Sequence, residues 1–204
     1  MDYQAFRKIF WGFIMIFMDF YIQLASGRVD VIPDVAGWGL IIYGLGLLAG
    51  SHPPFRRVRV LAIVLLASSF IDFLQNIFSP VSPPMFLFPP LSDQNRMTLI
   101  IQTTVYLLNV VFIHTLCRGI SDWAQNRDLG DSGRLGKGTI TSGRWFLWLS
   151  GILFILLPFS LLGGNWIPPT FTVLLLTASI LYLTVVALVW RAGTLSREAE
   201  NKSC

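Results

Sequence analysis

"IFWGFIMIFMDFYIQLASGRVDVIPDVAGWGLIIYGLGLLAG", Ile9 to Gly50, sets two apolar runs on either side of a window that holds Asp19, Arg28, Asp30 and Asp34. Such crowding of charge stands out in a chain that otherwise avoids it. Of 204 residues, 13% are Asp, Glu, Lys or Arg and 54% are hydrophobic. Soluble domains carry about 25% charged residues. Half that figure, with apolar runs close to the ~20 residues that cross about 30 Å of hydrocarbon, reads as a membrane-embedded chain. The flanking runs are the first two spans, and the charged window is the turn between them.

Working outward, six apolar segments follow the same logic, at about residues 9–25, 35–49, 58–78, 97–117, 145–162 and 170–190. The expected fold class is all-α, one membrane domain over residues 1–204 built as a bundle of six transmembrane helices. The second segment is short enough that a tilted or re-entrant path is the alternative there. Residues 127–144, "RDLGDSGRLGKGTITSGR", are glycine-rich and polar and read as a flexible loop. Residues 191–204 read as a tail.

Basic residues orient the bundle. Arg7, Lys8, Arg56, Arg57, Arg59, Arg118, Arg127, Arg134, Lys137, Arg144, Arg191, Arg197 and Lys202 fall on one side, while Arg28 and Arg96 alone fall on the other. That asymmetry places both termini in the cytoplasm. It also accounts for the net charge of +4 without nucleic acid as a partner. Cys117 and Cys204 show no C-x-x-C spacing, so neither a disulfide nor a zinc site is expected.

Motif signals for chemistry are weak. "GRLGKGT" departs from a phosphate-binding loop, because Asp131 stands at the first glycine position and Gly138 follows Lys137. His52 and His114 lack ligand spacing, so no metal or other cofactor is expected. On the second segment Gly39, Gly46 and Gly50 share a face, and glycines there let a neighbouring helix come close.

Polar residues inside the spans carry more. An aspartate near the bilayer centre costs about 2.5–3.5 kcal/mol on insertion scales, so Asp19 should face protein or water. On a continuous first helix, Gly12, Asp19 and Gln23 would share a face. Asp72, Gln75 and Asn76 recur at helical spacing on the third segment, and Gln102 and Asn109 do so on the fourth. Arg28, Asp30 and Asp34 would shape the mouth of the same polar line, with Asp34 also available to cap the second helix. Thr184 on the sixth segment can bond to its own helix backbone.

Trp11, Gly12 and Phe13, then Asp19 and Phe20, then Asp30, Pro33, Asp34, Gly37 and Trp38 form a "WGF…FxDF…DxxPDxxGW" pattern within Phe6–Leu48. The N-terminal quarter thereby resembles a group of small multi-pass membrane proteins of Gram-positive bacteria. That resemblance implies an integral protein of the bacterial cytoplasmic membrane and carries over no substrate.

The functional expectation is a small transport or ligand-binding protein. Its outward-facing acidic pocket among the first four spans would take a proton, a small cation or a lipid. A non-catalytic scaffold that binds other membrane proteins is the alternative. A lipid-acting intramembrane enzyme comes third, with no catalytic residue assigned, so non-enzymatic readings are preferred.

Overall fold

The computed structural model describes residues 2–17, 21–24, 27–30, 34–78, 96–126, 132–160 and 167–202, with side chains over 2–17, 34–71, 103–126, 133–153, 155 and 176–201. Six helices run as α1 Asp2–Phe17, α2 Asp34–Ser51, α3 Pro54–Phe78, α4 Arg96–Gln125, α5 Ser132–Ser160 and α6 Ile167–Lys202. Each packs on its neighbours in sequence, and α1 closes the ring against α6 while α4 reaches across to α6. The architecture is an all-α six-helix bundle with one small β-hairpin.

The hairpin corrects the expected first span. Helix α1 stops at Phe17 instead of running through residue 25, and Tyr21–Leu24 (β1) pairs antiparallel with Gly27–Asp30 (β2). Aromatic and β-branched residues favour the strand where the helix was expected, and the Leu24–Gly27 pair leaves two residues between the strands. Gln23 therefore lies opposite Arg28 in a ladder. It does not share a helical face with Gly12.

Helix α1 meets α2 along a seam of small residues. A Cβ on Gly12 would stand 2.6 Å from the Gly37 carbonyl oxygen, and one on Gly44 would stand 2.6 Å from the Ala5 carbonyl oxygen. Ala5, Ile9, Gly12 and Ile16 thus interlock with Gly37, Ile41 and Gly44 at alternating spacings of three and four. Glycine packing on α2 was expected at Gly39, Gly46 and Gly50. Gly39 and Gly50 instead face open space, and the nearest group to a Cβ at Gly46 would be the Arg59 guanidinium, 3.5 Å away at its carbon. The working face lies two residues, about 200°, around the helix.

The expected loop at 127–144 is corrected too, because residues 132–144 are the first half of α5. Its glycines serve contact. Gly143 sits where a Cβ would be 2.9 Å from the Cys117 Cβ, and Gly136 where one would be 3.3 Å from Ser121 Oγ. Gly136 and Gly143 are seven apart, so they place one smooth face of α5 against α4. Thr139, buried between them, returns its hydroxyl to the Leu135 carbonyl at 2.5 Å.

The surface is inside-out by the standards of a soluble protein. Trp148 is 70% exposed, Ile155 64% and Ile180 63%, on two adjacent helices. Apolar exposure on that scale belongs against lipid. Asp34–Ser51, Thr103–Gln125 and Leu176–Asn201 are long and apolar enough to cross a membrane. Helix α1, at 16 residues, extends about 24 Å, and α3 opens on Arg56, Arg57 and Arg59. The chain is a helical, membrane-embedded protein.

Candidate functional site

Helix α2 begins at Asp34, and the residue one turn on is Trp38. Across the bundle, α4 offers Asn109 and, three residues later on the same face, Phe112. Trp38 meets Phe112 edge-on at 5.2 Å between ring centroids. Phe13 of α1 lies 6.1 Å from Phe112 and 5.6 Å from Tyr182 of α6. Phe17 stacks on Tyr182 at 5.8 Å. Four helices thus converge on one aromatic cluster toward the hairpin end of the bundle.

Two polar atoms inside that cluster's surroundings carry unmet demand. Trp38 is 2% exposed, and its indole N–H has no hydrogen-bond partner. Asn109 Oδ1 is buried and equally unpaired. One is a donor and the other an acceptor, and each loses about 1–3 kcal/mol if left without a partner. Asp34 lies within electrostatic reach of Tyr182, so a carboxylate borders the same cluster.

Most of the expected polar line lies outside the described side chains. Of its members, Asp34 and Asn109 have described side chains; Asp34 acts electrostatically on Tyr182, and Asn109 stands one turn before Phe112 on α4. Asp19 lies outside the described residues. Gln23, Arg28 and Asp30 have described backbone in the hairpin, while Asp72, Gln75, Asn76 and Gln102 have it in α3 and α4; their side chains lie outside the described set. Ser68, one turn before Asp72 on α3, returns its hydroxyl to the Val64 carbonyl at 3.1 Å. Thr184 does the same to Ile180 at 2.9 Å, as its position in an apolar helix requires.

A second polar cluster, which sequence reasoning missed, closes the opposite end. Asp2 is 7% exposed in the first turn of α1, where the helix dipole favours a carboxylate. The Trp123 indole donates to its Oδ2 at 3.1 Å, and His52 Nε2 lies 3.4 Å from the same oxygen. Phe6 packs against Trp123 at 4.9 Å and Phe55 at 6.3 Å, sealing the group. The arrangement ties the start of α1 to the α2–α3 turn and the end of α4. Nothing in the sequence joins Asp2 to a residue 121 positions away.

Among the described residues, no group of three His, Cys, Asp or Glu gathers in metal-binding fashion. No protein-family model, curated protein or solved structure matches the chain.

Proposed function

We propose that the chain crosses the membrane six times with its basic end in the cytoplasm and binds a small polar ligand, as a transporter or receptor, in the aromatic cluster near Asp34. The observation that carries this is the pair of unpaired buried atoms, Trp38 Nε1 and Asn109 Oδ1. A bundle held only by structural hydrogen bonds gains nothing from an indole N–H and an amide oxygen left open. Buried polar groups in proteins are overwhelmingly paired. A donor and an acceptor waiting beside an acidic residue fit a ligand, or the water it displaces, that offers both.

A hydrated proton or small cation suits the acidic flank, with Asp34 as the charge that attracts it, Asn109 as an oxygen ligand and a water of its shell accepting from the Trp38 indole. Phe13, Phe112 and Tyr182 would wall the path and exclude lipid. Gln23, Arg28 and Asp30 belong to the hairpin and would shape the entrance above it.

The test is ion flux into sealed vesicles containing the purified protein and a pH-sensitive dye, driven by a potassium or proton gradient. Wild-type vesicles should dissipate the gradient faster than empty ones. Asp34→Asn and Asn109→Leu should lower the rate about ten-fold while helical content is kept. Wild-type vesicles no leakier than protein-free vesicles would remove the transport reading.

A further inference from the structure

Helix α2 is flanked by α1 and α3, which meet each other in the interior, where buried Phe6 and Phe55 pack edge to face. Its outward face carries Gly39, Tyr43, Gly46 and Gly50, with open space above Gly39 and Gly50. Between the two ridges, the glycines leave shallow ground on either side of the exposed Tyr43 ring. Two cations lean over it, one from each ridge. Lys8 Nζ of α1 lies 3.8 Å from the centroid of the Tyr43 ring. The Arg59 guanidinium of α3 occupies the notch at Gly46, its carbon 3.5 Å from where a Cβ would stand.

Among the described residues no carboxylate pairs with Lys8 or Arg59. Asp2, the nearest acid in sequence to Lys8, accepts from Trp123 and His52. Depth also matters. Lys8 is six residues from the start of α1, and Arg59 five from the start of α3, so both sit about 8–9 Å in from the basic end. That is headgroup depth, where Tyr and Trp collect and long cations snorkel. Trp11, one turn beyond Lys8, is 52% exposed, and Ile63, one turn beyond Arg59, is 46% exposed. The walls of the groove are therefore charged at headgroup level and apolar above it.

We infer that this groove holds an anionic diacyl phospholipid from the leaflet at the basic end, its phosphate between Lys8 and Arg59 and an acyl chain along the glycine face of α2. Charge complementarity selects an anion, and the apolar walls above it select a lipid over a soluble phosphate. The site is separate from the aromatic cluster, which lies toward the other end of α2.

Native mass spectrometry of the full chain in detergent, titrated with dioleoyl-phosphatidylglycerol and dioleoyl-phosphatidylcholine, tests it. Phosphatidylglycerol should be retained in preference to phosphatidylcholine, and a large excess of inorganic phosphate should not displace it. Lys8→Gln with Arg59→Gln should weaken that retention about ten-fold or more, and so should Gly39→Leu, which fills the face on the bilayer side of the two cations and leaves the charge alone. Arg144→Gln, an exposed basic residue on α5, should leave retention unchanged. Equal retention of the two lipids, displacement by phosphate, or an effect of Arg144→Gln as large as that of the double variant would overturn the assignment. Should the double variant fold poorly, the single Arg59→Gln and Gly39→Leu variants decide the question alone.

Discussion

Asn109 pulls the bundle in two directions. Its amide oxygen is buried and unpaired, a penalty that an apolar residue of similar shape would not pay. If the amide is kept for a ligand, removing it should make the protein more stable and less active together. Asn109→Leu is expected to raise the free energy of unfolding in detergent by about 1 kcal/mol, read from the midpoint of a denaturant titration. A loss of about that size would mean that the amide already has a partner in the folded bundle. Asn109 was legible in the sequence as a polar residue inside an apolar span. Trp38 was not, because an indole on an apolar helix ordinarily fills core, and its unmet N–H shows only once its neighbours are placed. The Asp2 cluster escaped for a related reason: an aspartate two residues into a chain gives no sign that a tryptophan from the fourth helix will bond to it.

Glycines decide the packing at the level of elements, and spacing alone misjudged which ones. Gly39 and Gly46 repeat at seven residues, and so do Gly37 and Gly44; the sequence cannot say which set meets α1. The structure shows that an added methyl at Gly12 or Gly44 would collide with backbone oxygen, whereas at Gly39 or Gly50 it would meet nothing. Gly12→Ala and Gly44→Ala should therefore each destabilise by about 1–3 kcal/mol through overpacking. Gly39→Ala and Gly50→Ala should be neutral or stabilise by up to about 1 kcal/mol through helix propensity. Unfolding in SDS titrations separates the two pairs; equal effects at all four positions would show that α1 does not close on α2 through this seam. Helix α5 makes the same point from the other side. Its "GRLGKGTITSGR" has the composition of a loop, yet Leu135 and Thr139 are buried and Gly136 and Gly143 admit α4. Local propensity was overridden by a tertiary contact that one sequence does not reveal.

For the whole molecule, the number of helices was legible and their reach was not. Six apolar runs gave six helices, because each run is long and each break is marked by proline, glycine or charge. The lengths differ widely, however: 16 residues in α1 and 36 in α6, or about 24 Å against 54 Å. A bilayer core of about 30 Å cannot match both. Helix α6 must project beyond the lipid, and its buried Ala192 and Ser196, with Gly193 against Phe6, show the bundle continuing at the basic end. Helix α1 ends at Phe17, and the hairpin follows over residues where the first span was expected to continue. If all six helices nonetheless cross, the connections must alternate between faces. In a Cys204→Ser background, single cysteines at Ser51 and Asn126 should react with an impermeant maleimide only from the basic side, and cysteines at Ser92 and Gly163 only from the other. Cys117, 1% exposed against Gly143, should stay unreactive from either face in the folded protein. Labelling of positions 51 and 126 from opposite faces would mean that α3 or α4 fails to cross, and the alternation on which the positive-inside argument depends would then break between them.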